Sequence, residues 1–580
     1  MEKKNIKQSQ FPPAWNTFRV EGVTFCSEFD SGNLYGVIPA PENKFNGQLL
    51  KYDLFICDDA FDVIQAPTYR CWFHFYVTGV PRDTLVIFTI KNMMNQSKLF
   101  SYGMKPVFKI LPKSQLNWEP IQGELTYQKY SKEHFEISWT HFFQTNSLEQ
   151  TFFAFCEPFS YQECQIHSGE VPSSHVLNGI IDFLSDEDDP VSMALLNLFV
   201  VKIIPMLNPD GVVRGHYRLD NLGNNLNRFY EDPKFEQQPS IYAAKHVIKS
   251  IYDQRPQNLF DNNYFNKLDI EQIQGGLYLY MDLHAHAGKR GCFIYGNSFE
   301  DFDYQVKTIM YPKMISCNTL NFDFLECNFT EKLMKRKDKI TQQDNDIKTR
   351  EGAGRVAIHK DCGNLIYSYT MECNYCCGTK INPIQRRMDS ATGKQIKDTE
   401  AVLDPNSLYY QQYYQQLKDQ AKLPDIQPQV PFNSTIMGDI GRASMIAILD
   451  LVDRNPQPRV YGPMTKTIVD EVLNYAQILQ LQIEELKNDK KPKKSTKKSG
   501  KKGTKKSKKS KKNETQETNE KTKIDQDQLQ SNGVVGKIKS IKIKRKLSQE
   551  KLLEQNIKII KDDKPATQKK LKKTKSAKQL

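Results

Sequence analysis

The stretch His167-Ser168-Gly169-Glu170-Val171-Pro172 places a histidine and a carboxylate three positions apart, just ahead of an apolar pattern with helical spacing. We predict a helix from about 174 to 184, with Ser173 or Ser174 as its N-cap. The histidine and the glutamate then lie on a loop before a helix and not on one helix face. An imidazole nitrogen and a carboxylate oxygen are normal zinc ligands, and a catalytic zinc takes three protein ligands and keeps a fourth position open. This stretch is therefore a candidate for half of a metal site.

Apolar runs further along the chain predict the strands of an α/β domain. The run 198–207 is apolar almost throughout and predicts a strand that is buried on both faces. Shorter runs predict strands at 277–283 and 367–372. Helical patterns occupy 241–252 and 434–452. Strands that alternate with helices indicate a mostly parallel sheet covered by helices.

Each predicted strand runs into polar residues at its carboxyl end, which is where the sites of open α/β sheets lie. The 277–283 strand leads to His284, which we predict to be the third zinc ligand. His286 has the same side-chain direction if the strand continues, so it is the competing ligand. Asp282 is a candidate to orient the ligand, or else a structural carboxylate. Glu372 ends the last strand and is a candidate general base and acid, with an ordinary strand-end glutamate as the alternative.

A polar group follows the 198–207 run, and it contains Arg218, Asn227 and Arg228. A planar guanidinium is suited to gripping a carboxylate with two hydrogen bonds. A second arginine can stabilise the charge that forms on a carbonyl oxygen as water adds. For any one of these residues alone, a solvated arginine-containing loop is the competing interpretation.

The chain before this domain predicts a separate all-β unit. Runs at 71–77 and 84–90 are aromatic and β-branched, and turn residues interrupt them. A β-sandwich is the economical interpretation. We predict four units along the chain: a β-sandwich domain at 1–155, an α/β domain at 156–455, a C-terminal helix at 456–487 and a lysine-rich disordered tail at 488–580.

The net charge of +13 is unevenly distributed. Residues 487–580 hold 33 of the 81 basic and 10 of the 68 acidic residues, a net charge of +23, which leaves the first 486 residues with a net charge of −10. The tail is of low complexity and poor in aromatic residues, which predicts disorder. Its charge suits an acidic partner, such as nucleic acid, anionic lipid or an acidic protein tail.

The 12 cysteines are irregularly spaced, and we find no signal peptide and no apolar run of membrane-spanning length. Reduced thiols in a cytosolic protein without a membrane span fit this pattern better than a disulfide framework. The cluster Cys373, Cys376 and Cys377 lacks a second CxxC pair at zinc-finger spacing, so ordinary thiols are favoured over a structural zinc.

Six motifs occur in the order found in zinc carboxypeptidases, and the set resembles the cytosolic carboxypeptidases in particular. The motifs are His167-Ser168-Gly169-Glu170, Asn208-Pro209-Asp210-Gly211-Val212, Gly215-His216-Tyr217-Arg218, Asn225-Leu226-Asn227-Arg228, Asp282-Leu283-His284-Ala285-His286 and Ser368-Tyr369-Thr370-Met371-Glu372. The stretches 289–297 and 351–357 resemble the type-five branch of that family. The resemblance covers about 15–455 and implies an α/β/α sandwich with a mixed, mostly parallel sheet, preceded by a β-sandwich.

The resemblance implies one zinc ion per chain with three protein ligands: His167, Glu170 and His284. It implies that Glu372 is the catalytic carboxylate and that Arg218 polarises the substrate carbonyl. Asn227 and Arg228 would hold the terminal carboxylate. Ser168 replaces the proline that is usual in the motif, and because this position does not ligate the metal, we expect zinc binding to survive.

The activity implied by the resemblance is removal of glutamates from the C-termini and side-chain branches of tubulin, and the type-five branch is associated with the branch-point glutamate. We predict that Arg355 reads the substrate γ-carboxylate, because an acidic body needs a local cation to accept an acidic substrate. The expected partners are microtubules with glutamylated tails. The expected protein is a monomer in the cytoplasm, at the microtubule cytoskeleton or cilium, with the nucleus as an alternative.

Two other functions remain open on the sequence. One is a zinc deacylase or amidohydrolase that acts on N-acyl amino acids with the same type of metal site. The other is a catalytically inactive scaffold that binds tubulin. The presence of all the side chains required for catalysis argues against this function.

Overall fold

The computed structural model describes residues 13–40, 49–64, 66–113, 118–144, 149–158, 169–254, 276–336, 350–379, 381–396 and 430–489. His167, Ser168 and nearly all of the predicted tail lie outside these ranges. Within them, no helix is both long and apolar enough to cross a membrane.

The first part of the chain folds into two β-sheets. The strands are β1 Thr17–Val20, β2 Val23–Cys26, β3 Gly36–Pro39, β4 Leu49–Phe55, β5 His74–Thr78, β6 Thr84–Met93, β7 Val107–Leu111, β8 Glu119–Pro120, β9 Leu125–Lys129, β10 Phe135–Phe143 and β11 Gln150–Ala154, with one short helix, α1, at Ser97–Ser101. One sheet has the order β1-β2-β5-β11-β7-β8 and the other β3-β4-β6-β10-β9.

Alternating burial makes the two sheets into a sandwich. Along β6, buried residues alternate with half-buried ones, as expected for a strand with one face in the core. Phe88 of β6 packs against aromatic rings of the opposite sheet, with centroids 6.3 Å from Phe25, 6.4 Å from Phe75 and 5.0 Å from Phe153. The predicted β-sandwich is therefore confirmed.

The second part of the chain is α/β. Its helices are α2 Pro172–Leu184, α3 Pro190–Leu198, α4 Pro209–Val213, α5 Pro239–Asp253, α6 Phe302–Asn318, α7 Glu331–Met334, α8 Gly354–Asp361, α9 Ser434–Leu451 and α10 Pro463–Asp489. Its strands are β12 Leu279–Ala285, β13 Cys292–Tyr295 and β14 Tyr367–Cys373, with a short pair β15 Cys377–Gly378 and β16 Val430–Pro431.

The α/β sheet has the order β12-β14-β13 and lies between two groups of helices. β12 and β14 are parallel, whereas β13 and β14 are antiparallel, so the sheet is mixed. One face packs against α2 and α6, with α9 behind them, and the other packs against α8 and α5. This arrangement confirms the predicted α/β/α class.

The predicted helices at 241–252 and 434–452 are confirmed as α5 and α9, and the strands at 277–283 and 367–372 as β12 and β14. The N-cap prediction was wrong. The helix begins two residues earlier than expected, at Pro172, with Val171 as its N-cap, because proline suits the first helical position. Ser173 lies inside the helix, and its hydroxyl donates to the Glu170 carbonyl oxygen at 2.6 Å.

The predicted strand at 198–207 was also wrong. Residues 199–208 form no ladder with any described strand, and Val200 is 83% exposed. Phe199 and Leu207 still pack against the core, and Phe199 lies 5.2 Å from the Tyr278 ring. An apolar run indicates burial, but a strand also requires a neighbouring edge to pair with.

Glycines bring helix α2 into backbone contact with α9. A methyl group on Gly179 would overlap the carbonyl oxygen and Cα of Gly438, and one on Gly441 would overlap the Val176 carbonyl oxygen. A methyl group on Gly438 itself would lie 3.6 Å from the nearest atom, which is an ordinary contact. Since α2 begins two residues after Glu170, this packing fixes the position of that carboxylate.

We predict that Gly179→Ala destabilises the protein by about 1–3 kcal/mol, because overpacking forces the two helices apart. The measurement is the melting temperature of the purified chain, which should fall by several degrees. Gly438→Ala is the matched control on the facing helix. It should leave the melting temperature equal or slightly higher, since alanine favours a helix interior over glycine by about 0.8–1 kcal/mol. Equal losses in both variants would contradict this account of the contact.

Candidate active site at the carboxyl edge of the sheet

Glu170 and His284 face each other across the carboxyl end of the sheet. Glu170 precedes α2, and His284 is the penultimate residue of β12. The His284 Nδ1 atom lies 2.7 Å from Glu170 Oε2, and the Ala285 N–H donates to the same oxygen at 3.2 Å. Both residues are only 6% exposed. Two of the three predicted metal ligands are thus adjacent, and His167 lies outside the described residues.

The other ring nitrogen of His284 has two polar neighbours. Asn227 Nδ2 lies 2.8 Å from Nε2 and Asp282 Oδ2 lies 2.9 Å from it. With the ring proton on Nδ1 between His284 and Glu170, Nε2 accepts from the Asn227 amide. In the imidazolium form, Nε2 instead carries a proton and donates to Asp282 Oδ2.

This arrangement suits a metal ion in place of the Nδ1 proton. The proton would then move to Nε2 and be donated to Asp282, which is the usual way in which a carboxylate orients a metal-binding histidine. The described residues contain no group of three or more His, Cys, Asp or Glu side chains that could hold a metal ion. Glu170 and His284 supply two donors, and the donor types, one carboxylate and one imidazole, fit zinc.

The electrostatics of His284 agree with a cation here. Burial alone would lower the pKa of its imidazole, but Asp282 and Glu170 together raise that pKa well above its ordinary value. Two carboxylates around one buried ring therefore favour positive charge at this position.

Arg218 contacts the second oxygen of Glu170. Its Nη1 donates to Glu170 Oε1 at 3.2 Å. With the amide oxygen of Asn225 turned toward it, Arg218 Nε and Nη2 donate to that oxygen at 3.1 Å each. The guanidinium is thus held in a defined orientation beside the proposed metal ligand.

Glu372 lies on the strand next to His284 and pairs with it in register. Because paired residues of neighbouring strands point to the same face of a sheet, both side chains leave the same face. Burial raises the pKa of Glu372 to about 7. The negative charge of Glu170 adds to this effect, whereas His284, Arg350 and Arg218 oppose it. A carboxyl group with a pKa near neutrality can both take and return a proton.

Asn227 and Arg228 lie in a short 3-10 helix, Leu226–Arg228. The Asn227 side-chain oxygen accepts from the N–H of Gly354, the first residue of α8, at 2.9 Å. Arg228 Nη1 donates to the Asn227 carbonyl oxygen at 2.6 Å. The structure therefore places Asn227 beside His284, where it connects that ring to the start of α8, and Arg228 follows it in the chain.

His286, the competing candidate ligand, makes hydrogen bonds with the loop that follows β12. His286 lies just beyond the end of β12, and its Nδ1 accepts from the N–H groups of Gly288 at 3.1 Å and Lys289 at 2.9 Å. Burial and the nearby Lys289 lower the pKa of His286 to about 4. Its ring packs on Phe293 with centroids 5.7 Å apart. These contacts give His286 a role in shaping the loop after β12.

Arg355 is in the interior, 3% exposed. Its Nη1 donates to the Gly296 carbonyl oxygen and to Asn297 Oδ1, both at 2.6 Å, and burial lowers the pKa of its guanidinium to about 10. These contacts give Arg355 a structural role at the end of β13. Its role as the reader of a substrate side chain stays a prediction.

Sequence reasoning missed two groups at this site. Asp59, from the loop after β4, accepts hydrogen bonds from the backbone N–H groups of Tyr217, Arg218 and Leu219. Tyr375 donates its hydroxyl to the Gly169 carbonyl oxygen at 2.7 Å and so holds the residue before Glu170. Asp59 lies 159 residues from Arg218 along the chain. No local pattern in the sequence indicates a contact over that distance.

Comparison with family models assigns the class. Residues 157–386 match the family model described as zinc carboxypeptidase, and residues 25–154 match the cytosolic carboxypeptidase N-terminal domain. A solved metallo-carboxypeptidase from Burkholderia cenocepacia aligns with a TM-score of 0.45 at 16% identity, over 74% of this chain and 99% of that one.

Similar proteins narrow the class to a family. The cytosolic carboxypeptidase-like protein 5 of Rattus norvegicus is 30% identical over 76% of this chain and 69% of its own length, and that of Mus musculus is 31% identical over 76% and 65%. The human cytosolic carboxypeptidase 6 is 27% identical over 61% of this chain and 72% of its own length. The chain belongs to the cytosolic carboxypeptidases, a family of zinc carboxypeptidases.

We predict that His284→Ala lowers zinc affinity by at least about 100-fold, more than the 10–100-fold typical of losing an outer-shell partner. The reason is that Nδ1 of His284 faces Glu170, whereas Nδ1 of His286 is occupied by backbone N–H groups. Zinc content after dialysis against a competing chelator measures the affinity.

His286→Ala is the matched control and should keep its zinc. Asp282→Asn should give an intermediate loss of zinc affinity, because an amide cannot fully replace the carboxylate that faces Nε2 of His284. Circular dichroism checks that each variant is folded. If zinc were lost only from the His286 variant, our choice of histidine would be wrong.

Proposed function

We propose that this chain is a zinc metallocarboxypeptidase that removes glutamates from glutamylated protein tails, at branch points, at C-termini or at both. The observation that carries the proposal is the meeting of Glu170, His284 and Arg218 at one sheet edge, with Glu372 in register on the next strand. This edge combines donors for a metal, a positioned cation and a carboxyl group of neutral pKa. Family membership supports the reaction class.

The metal ligands in this proposal are His167, Glu170 and His284, and they would hold one zinc ion per chain. When bound, zinc supplies a Lewis acid that makes water more acidic and polarises a carbonyl group. Asp282 would orient His284 through Nε2. The Asn227 amide, which in the metal-free tautomer donates to that nitrogen, would then be released toward substrate.

The protein side chains would divide the remaining work. Glu372 takes a proton from the attacking water and returns it to the leaving amine, as its pKa near neutrality allows. Arg218, held by Glu170 and Asn225, stabilises the negative charge that develops on the carbonyl oxygen. Arg228 and Asn227 grip the terminal carboxylate of the substrate, which suits the planar geometry of a guanidinium.

The proposed substrate class is acidic, and the arginines close to Glu372 support this proposal. Arg218 and Arg350 both act on Glu372 electrostatically, and the buried Arg355 interacts electrostatically with Arg350 and Glu372. We propose tubulin with glutamylated tails as a substrate and partner, and a cytoplasmic location at the microtubule cytoskeleton or cilium. Arg355 is the proposed reader of the substrate side chain, and residues 488–580 are a proposed contact for an acidic partner.

We predict that the purified zinc-loaded chain releases glutamate from a peptide with a branched glutamate chain, and that Glu372→Gln lowers this rate by at least about 100-fold. Glutamine keeps the shape of the side chain but cannot accept the proton of water. Mass spectrometry of the peptide and of tubulin tails measures the loss of each glutamate. The variant should retain zinc and its melting temperature.

The same assay separates the rival functions. N-acetylglutamate, offered at equal concentration, should be hydrolysed far more slowly than the peptide, because it lacks the peptide backbone that extends from the cleft. Preferred hydrolysis of N-acetylglutamate would favour a deacylase. Absence of activity in the wild-type chain would favour a scaffold. Appreciable glutamate release by the Glu372 variant would refute its assignment as base.

A further inference from the structure

The β-sandwich domain inserts a buried carboxylate next to the candidate active site. Asp59 lies in the loop between β4 and β5 and is 3% exposed. Its Oδ1 accepts from the Tyr217 N–H at 2.7 Å, and its Oδ2 accepts from the N–H groups of Arg218 at 2.6 Å and Leu219 at 3.0 Å. One carboxylate thus satisfies three consecutive backbone amides of the α/β domain.

Such a contact fixes a backbone tightly. Hydrogen bonds to an ionised acceptor are about twice as strong as those between neutral groups. Burial raises the pKa of Asp59, and its hydrogen bonds from the three amides oppose this effect. His216 adds a second link, because its Nε2 accepts from the Ala60 N–H at 3.1 Å and its Nδ1 therefore donates to the Leu219 carbonyl oxygen at 3.0 Å. The 216–219 backbone is held by the sandwich loop at several points.

The same backbone segment touches the proposed metal site twice. The Arg218 side chain donates to Glu170 Oε1 at 3.2 Å. The Tyr217 carbonyl oxygen accepts from the Gly169 N–H at 3.1 Å, and a methyl group on Gly169 would overlap the Tyr217 ring. A shift of 217–219 would therefore move the guanidinium and the loop that ends in Glu170 together.

We propose that Asp59 is a positioning residue of the active site: it acts across the domain boundary and sets the location of the Arg218 guanidinium against Glu170. The proposal rests on the proposed function, in which Arg218 stabilises charge on the substrate carbonyl. The β-sandwich is then part of the catalytic unit, because it supplies the carboxylate that holds this backbone in place.

A second ion pair between the same two segments provides a control. Asp62 lies three residues after Asp59, and its carboxylate accepts hydrogen bonds from Nη1 and Nη2 of Arg214 at 3.3 and 2.8 Å. This pair also links the sandwich loop to the 210–219 region, but it is partly exposed and does not touch the backbone around Arg218. Asp62→Asn thus removes a link between the domains without disturbing the amides that Asp59 holds.

The experiment compares Asp59→Asn and Asp62→Asn in the full zinc-loaded chain. Asparagine is isosteric with aspartate but has one acceptor oxygen, and its NH2 group would face backbone N–H groups. We expect Asp59→Asn to lower kcat on a glutamylated peptide by about 10- to 100-fold, because misplacement of a catalytic group by about 1 Å has that effect. KM should change less than about threefold, since Arg218 acts on the transition state. Asp62→Asn should leave both constants unchanged.

Two further readouts separate positioning from general stabilisation. Hydrogen–deuterium exchange of the 217–219 amides should be at least about tenfold faster in the Asp59 variant and unchanged in the Asp62 variant. In a chain that already carries Arg218→Ala, adding Asp59→Asn should lower kcat further by less than about threefold. A residue that acts through Arg218 has no effect once the Arg218 side chain is gone.

The outcomes distinguish the two proposals. Unchanged exchange at 217–219, or a full additional loss of kcat in the Arg218→Ala background, would overturn the positioning role of Asp59. An inactive wild-type chain would contradict the proposed function, and the exchange measurement would then still decide whether Asp59 holds the segment.

Discussion

A buried group of opposite charges holds this site together. Glu170 and Asp282 approach the two ring nitrogens of His284, at 2.7 and 2.9 Å, in a region that is almost closed to solvent. Carboxylates are costly to bury unless they are paired, and a single imidazole with one or two protons compensates them only in part. Arg218 adds a positive charge on the far oxygen of Glu170. A divalent cation bound by Glu170 and His284 would complete the balance, which is why the position of these two side chains underlies the proposed chemistry.

The surrounding fold keeps that group in place from three directions. Helix α2 presents Glu170, and its glycine contact with α9 leaves it little freedom to move. Parallel pairing of β12 with β14 places His284 and Glu372 side by side. The sandwich loop with Asp59 holds the backbone of Arg218. The two domains therefore meet where the chemistry is proposed to occur, and the β-sandwich contributes to the geometry of the site as well as to the fold.

Much of this arrangement could be predicted from the sequence, since it depends on local patterns. Helical periodicity located α5 and α9, and apolar runs located β12 and β14 with their polar carboxyl ends. The strand predicted at 198–207 failed, because strand formation depends on a partner edge that composition does not encode. The preference for His284 over His286 as a metal ligand came from the sequence and stays a prediction; the backbone N–H groups that occupy His286 Nδ1 support it. Asp59 could not be found, because its contacts join residues more than 150 positions apart.

The most direct measurement is an anomalous difference map, collected at the zinc absorption edge, from crystals of the zinc-loaded chain. We predict one strong peak per chain, about 2.0–2.2 Å from a Glu170 carboxylate oxygen and from His284 Nδ1, as is typical of zinc with oxygen and nitrogen ligands. The third protein ligand at that peak should be His167. A peak at the thiols of Cys373, Cys376 and Cys377, or no peak between Glu170 and His284, would contradict the account.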